Sequence, residues 1–147
     1  MVDVTGKDVT TRSATARCRV SVSAEVAALL QSGGLPKGDA LGVARIAAIQ
    51  ATKRTSDLIP LCHPIAVHGV DVDVAVVQGV GSAVVEILAT VRTADRTGVE
   101  MEALTAAAVG GLTVIDMVKG KDRSAAIAEV VLLEKQGGRS GHWTREP

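Results

Sequence analysis

The sequence predicts an α+β fold of the ferredoxin-like, split βαβ type, in which an antiparallel sheet carries helices on one face. Three observations predict it. Four stretches alternate apolar and polar residues with the two-residue period of half-buried strands. Segments rich in Ala and Leu, suited to helix, separate the first stretch from the second and the third from the fourth. The resulting order is strand, doubled helix, strand, strand, helix, strand, which is the order of the split βαβ arrangement. The 147 residues suit a single domain, 1–147, with enough chain for a real core and no long repeat, linker or low-complexity segment.

Composition restricts the function. Sixteen basic and sixteen acidic residues balance, so no long-range field recruits nucleic acid or an anionic membrane. The chain has no Phe or Tyr, and Trp143 is its single aromatic residue, which leaves no base-stacking surface. Apolar residues make up 47%, mostly Ala, Val, Ile and Leu, and this implies a packed aliphatic core. The opening MVDVTGKDVTTR lacks the apolar run of a signal peptide. Cys18 and Cys62 are too few for a disulfide scaffold and form no Cys-x-x-Cys pair. A cytoplasmic protein is the expectation.

Residues 1–13 are polar and Thr-rich, and a mobile N-terminal arm is expected there. Residues 15–22 alternate, with Ala16, Cys18, Val20 and Val22 on one face of a strand, so Cys18 reads as a small core residue. Ser23 is placed to cap a short helix over 24–31, ended by Gly33, Gly34 and Pro36. A second helix is expected over 40–55. Lys37, just before it, could hold a phosphate beside free backbone N–H groups, although exposed loop lysines are common. Lys53 adds cationic character near its end.

The run DLIPLCHP, residues 57–64, is unusual. Pro60 and Pro64 discourage regular structure around Leu61, Cys62 and His63, so a rigid loop presents thiol and imidazole side by side. Such a pair suits ligand contact or proton transfer. Zinc is the alternative, but the chain lacks a recognisable ligand set, and neither a metal nor a cofactor is expected. Residues 67–77 and 83–93 alternate strongly, and 78–82 suits the turn of a hairpin. After the last helix, residues 126–133 form the final strand. A mobile C-terminal loop follows over 136–147, with Lys135 and Arg139 able to touch an anion.

The chain is organised around residues 97–123, TGVEMEALTAAAVGGLTVIDMVKGKDR. Thr97 is a candidate N-cap and Gly120 a natural stop for a buried helix, read as too short and too rich in Gly and Thr to span a bilayer. Gly110 and Gly111 each cost such a helix about 1 kcal/mol relative to Ala, which is reasonable if another backbone approaches closely. Asp116 and Lys119 share a helical face, Glu102 falls within about 40° of it, and Glu100 points elsewhere. Glu102 and Asp116 are nevertheless roughly 21 Å apart along the axis. Either the ligand is long or a second subunit completes a site, unless Asp116 and Lys119 form only a surface ion pair.

Four stretches together resemble one family: MVDVTGKDVTTR, KGDALGVARIAAIQATKRTSDLIPLCHP, TGVEMEALTAAAVGGLTVIDMVK and KQGGRSG. They look like the MoaC family, the cyclic pyranopterin monophosphate synthases of molybdenum-cofactor biosynthesis, over nearly the whole chain and in the right order. The resemblance implies a ferredoxin-like subunit in a hexamer, a trimer of dimers, with sites at subunit interfaces. It implies a lyase acting on a GTP-derived substrate, (8S)-3′,8-cyclo-7,8-dihydroguanosine 5′-triphosphate, with release of pyrophosphate. By matching motif, Asp116 would be the catalytic acid/base with Lys119 its partner. Leu61, Cys62, His63, Met101 and Glu102 would contact substrate, and Glu100, Lys37, Lys53, Arg12, Lys135 and Arg139 match further polar or basic pocket positions. The run DMVKGKDR departs from the DMCKAVDR expected of the family, with Val118 in place of a thiol and Lys121 as an extra cation. A non-catalytic oligomeric module that binds a phosphorylated ligand is the alternative.

Overall fold

The computed structural model describes residues 1–78 and 83–146. Strand β1 (Thr10–Val22) lies inside the sheet because Ala14, Ala16, Cys18, Val20 and Val22 all point to one buried face. It starts at Thr10, earlier than the expected residue 15, so residues 10–13 of the expected arm are strand. The reason is tertiary: Thr10 to Ser13 pair with Asp95 to Arg92, and their polar side chains carry no hydrophobic period to announce it.

Helix α1 (Ala24–Ser32) begins where the Ser23 side chain accepts from the Val26 N–H, and it ends at Gly33 in the left-handed conformation, φ 71°. A buried carboxylate joins this start to the turn that precedes the last major strand. Asp122 accepts from Ser23 N at 2.7 Å, Ser124 N at 2.9 Å and Ser124 Oγ at 2.6 Å, and these bonds hold its carboxyl below the usual carboxylate range. Helix α2 (Ala40–Thr52) is capped by Asp39, which accepts from Gly42 N at 2.9 Å. It stops short of the expected residue 55, and a single turn, α3 (Thr55–Leu58), follows. The Thr52 and Thr55 hydroxyls bond back to carbonyls of the preceding turn at this break.

Strands β2 (Gly69–Gln78) and β3 (Ala83–Asp95) pair antiparallel from Gly69 opposite Arg92 to Gln78 opposite Ala83. Residues 79–82 of the expected hairpin turn lie outside the described residues. Helix α4 (Glu100–Val118) starts later than expected: its N-cap is Val99, not Thr97, and no side chain caps it. Glu100 and Glu102 in the first turn complement the helix N-terminus instead. The C-cap is Lys119, with Gly120 in the turn beyond. Strand β4 (Ala126–Gln136) runs past the expected residue 133, and β5 (Trp143–Thr144) pairs with Glu134 and Lys135, so the expected C-terminal loop contains a short strand.

The sheet is antiparallel with order β2-β3-β1-β4-β5. Helix α4 packs on β1, β3 and β4, and α2 packs on α4 and β2, giving the ferredoxin-like arrangement expected from the sequence. Ala103, Ala106, Ala107, Gly110, Gly111, Val114 and Val118 recur at three- and four-residue spacing and are all buried. Their small size lets the helix sit close to the sheet. A Cβ on Gly111 would meet Cys18 Sγ at 2.5 Å, and one on Gly110 would meet Ile87 Cγ2 at 3.2 Å and Ala48 Cβ at 3.4 Å. By length and composition α4 could cross a membrane, contrary to the expectation that it is too short, but half of its apolar window is buried within this fold. Val118, at the departure from DMCKAVDR, is fully buried, so its methyl groups fill core space in place of a thiol.

Candidate functional site

Polar side chains gather at the two ends of α4. At the N-terminal end, Ile59, Leu61, Cys62, His63, Thr97, Gly98, Glu100 and Met101 line an open cleft of about 450 Å³. Residues 59–68 contain no helix or strand, as Pro60 and Pro64 require, so Cys62 and His63 are presented by a loop. Glu100 folds its carboxylate over the Gly98 backbone, where a β-carbon would overlap it.

Glu102 sits behind this cleft, 2% exposed, and Cys62 Sγ donates to its Oε1 at 3.8 Å. Its Oε2 is buried with no hydrogen-bond partner among the described residues. Burial raises the Glu102 carboxyl above its ordinary range, and nearby Glu100 adds to the effect. Burial likewise pushes the Cys62 thiol up, helped by the Glu102 charge, so Cys62 is a donor and not a thiolate. A raised folded value means that the folded chain holds this proton more tightly than the unfolded one. Stability therefore falls as pH rises from the ordinary glutamate range through the raised value, and the full penalty persists above it. Glu102→Gln should abolish that decline. Urea unfolding of parent and variant across the range checks it, and parallel stability curves would show that Glu102 ionises without penalty.

A second cleft has a volume of about 370 Å³. It is lined by Lys7, Asp8, Thr10, Arg12, Gly138, Arg139 and Ser140. Arg12 is half-buried and donates to the Asp95 carbonyl at 2.9 Å and the Arg96 carbonyl at 3.1 Å. Gly137 and Gly138, at φ 92° and 71°, fold against Thr11 and Arg12 and bring the 137–140 loop over β1. Lys135 reaches this loop through a hydrogen bond to Ser140 Oγ.

The third group lies at the other end of α4. Lys119 Nζ contacts Asp116 Oδ1 at 2.6 Å, and Lys37 Nζ contacts Asp116 Oδ2 at 2.9 Å and the Asp116 carbonyl at 2.8 Å. The two cations, Lys119 before Lys37, hold the Asp116 carboxyl at about 2. Asp116 is therefore an ionised anchor for two ammonium groups at neutral pH. All three are exposed in the single chain. Lys53 is exposed as the C-cap of α2 and lines neither of the two clefts.

Leu61, Cys62, His63, Glu100, Met101 and Glu102 thus come together, as do Arg12, Lys135 and Arg139, and as do Lys37, Asp116 and Lys119. The first and third sets remain separated by the length of α4, roughly 21 Å from Glu102 to Asp116. Sequence reasoning missed Thr97 and Gly98 as lining residues, and it read Lys7 as solvated charge in preference to an anion contact. It also missed Arg96, although RTGVEME places that arginine immediately before the organising 97–123 stretch.

Fold and clefts together define an α+β, ferredoxin-like protein whose core helix carries a thiol–imidazole–carboxylate cleft at one end and an acid with two lysines at the other. Residues 1–138 match the model of the MoaC family, and the chain belongs to that family. A Streptomyces avermitilis protein named cyclic pyranopterin monophosphate synthase is 61% identical over 145 residues, covering 99% of this chain and 83% of that protein. One from Pelobacter propionicus with the same name is 51% identical over 146 residues, covering 99% and 90%. A Mycobacterium tuberculosis protein named cyclic pyranopterin monophosphate synthase 2 is 57% identical over 145 residues, covering 99% and 84%.

Proposed function

We infer that this chain is a cyclic pyranopterin monophosphate synthase, a lyase of molybdenum-cofactor biosynthesis. The observation that carries this is 61% identity across 99% of the chain to a relative of that name. The substrate is the GTP-derived (8S)-3′,8-cyclo-7,8-dihydroguanosine 5′-triphosphate. A substrate oxygen closes the cyclic phosphate as the bond between the α- and β-phosphates breaks, and the electron pair leaves with pyrophosphate.

The side chains divide sensibly between these tasks. Arg12, Lys135 and Arg139 supply positive charge for the triphosphate and for the charge developing on pyrophosphate, and Lys53, which lines neither cleft of its own chain, adds to it from a neighbouring copy. Leu61, Cys62, His63, Glu100, Met101 and Glu102 take the purine-derived ring, Glu102 from behind the cleft through its contact with Cys62. Asp116 fixes Lys119 and Lys37, so a lysine, not the aspartate, carries the transferable proton in this arrangement.

The roughly 21 Å between the sets supports a homo-oligomer in which one copy's Asp116 set faces another copy's Cys62 cleft, and the family resemblance implies that this oligomer is a hexamer, a trimer of dimers. Exposed Val43, Ile46 and Leu112, on the two packed helices, give such contacts aliphatic surface. The reaction belongs in the cytoplasm, with neither nucleic acid nor membrane as partner. Incubation with the cyclised triphosphate, followed by detection of pyrophosphate and the pyranopterin, tests the reading. Binding without pyrophosphate release would favour a non-catalytic module for a phosphorylated ligand, and a fully active monomer in sedimentation would end the shared-site proposal.

A further inference from the structure

We propose that Arg96 is a positioning residue that docks the N-terminal segment and thereby builds the cationic cleft containing Lys7, Arg12 and Arg139; this rests on the phosphate-holding role proposed for that cleft. Residues 1–9 contain no helix or strand and are mostly exposed. Their own bonds are local: Lys7 N donates to the Val4 carbonyl at 3.0 Å and Thr5 N to Asp3 Oδ1 at 2.8 Å. The Arg96 guanidinium links this turn to the body of the fold. Its Nη1 donates to the carbonyls of Thr5 and Lys7, the latter at 3.0 Å.

Arg96 is itself fixed. Its backbone N–H donates to Asp95 Oδ1 at 2.6 Å, and its carbonyl accepts from Arg12 Nη2 at 3.1 Å. Two arginines therefore interlock: Arg12, which lines the cleft, holds the backbone of Arg96, and Arg96 holds the backbone of Lys7, which lines the same cleft. The docked turn also brings Asp3 into the electrostatic reach of His63 in the first cleft. Both carbonyls accept from the single nitrogen Nη1, so a lysine ammonium can supply the charge but only part of the fixed donor direction of the planar guanidinium. Without Arg96 the turn loses its attachment, and a cation leaves the cleft although no substrate contact has been deleted.

The test compares the full chain with Arg96→Ala and Arg96→Lys. Amide hydrogen exchange follows residues 4–9, and calorimetry measures binding of inorganic tripolyphosphate. For Arg96→Ala the expected results are loss of protection at residues 4–9 with an unchanged melting temperature, and about tenfold weaker tripolyphosphate binding. With substrate, KM should rise by a similar factor while kcat changes little. Arg96→Lys should recover part of both the protection and the affinity. Unchanged exchange in Arg96→Ala overturns the proposal, as does release of the segment with full affinity retained. Failure of the parent protein to bind tripolyphosphate would instead overturn the phosphate-holding reading, and the exchange comparison would still decide whether Arg96 docks the segment.

Discussion

Asp116→Asn and Lys119→Ala should each lower single-turnover conversion by at least about a hundredfold while leaving the protein folded and substrate bound. The expectation rests on the geometry at the end of α4, where one carboxylate contacts two ammonium groups at 2.6 and 2.9 Å. If these were merely exposed ion pairs, their loss would change little, because water screens such contacts. A proton-transfer group contributes about 10²–10⁴-fold in rate, so the two readings predict outcomes far apart. Asparagine keeps the shape of Asp116 and removes its charge, so that variant isolates the anchoring of Lys119 and Lys37. The double change should lose much less than the product of the single losses, because the residues act as one unit. The pH profile is a second check. The Asp116 carboxyl lies at about 2, so its charge is present throughout the neutral range and is lost only as pH falls toward that value. No limb of the rate profile near the ordinary carboxylate range should vanish in Asp116→Asn. Near-normal conversion by either folded variant would remove that residue from the reaction.

Gly111→Ala should be the most damaging single-methyl change in α4. Alanine favours helix over glycine by about 1 kcal/mol, so on propensity alone the substitution stabilises. Packing reverses the sign. The new methyl would lie 2.5 Å from Cys18 Sγ, 3.3 Å from Val20 Cγ2 and 3.4 Å from Ile127 Cδ1, all on the sheet beneath. Cys18 is fully buried and has only one short side-chain torsion, so it cannot swing aside without striking its neighbours. Overpacking of this kind costs about 1–3 kcal/mol and should dominate the helix gain. Gly120→Ala is the control, since beyond its chain neighbours no atom of the described residues lies within 4 Å of its added carbon, and it should stay within about 0.5 kcal/mol of the parent. Equal melting temperatures for the two variants would mean that α4 can lift from the sheet without penalty.

Much of the fold was legible because the relevant physics is periodic. Alternation at Ala16, Cys18, Val20 and Val22 identifies a buried strand face, and the paired glycines of the long helix anticipate a close approach. Features decided by distant partners were not legible. Thr97 looks like a helix cap, yet the helix starts after Val99, and Thr97 lines a cleft with residues from the DLIPLCHP loop. Residues 10–13 read as coil because only their pairing with β3 makes them strand. At the site, adjacent residues such as Cys62 and His63 could be grouped from the chain itself. The contact of Lys37 with Asp116, by contrast, joins segments that no local pattern relates. The grouping of Arg12 with Arg139 came from resemblance, and the left-handed backbone at Gly137 and Gly138 supplies its physical basis.

The position of β1 also governs how the chain can be made. It is the first of the five described strands to leave the ribosome, yet its ladder partners are β3 on one side and β4 on the other. At about 5–20 residues per second, β1 waits several seconds for its first partner and longer for its second. Throughout that interval both of its hydrogen-bonding edges are open, and its alternating face of Ala, Cys and Val is unprotected. Translation pauses before β3 should therefore raise the yield of aggregated nascent chain, whereas pauses after β4 should not.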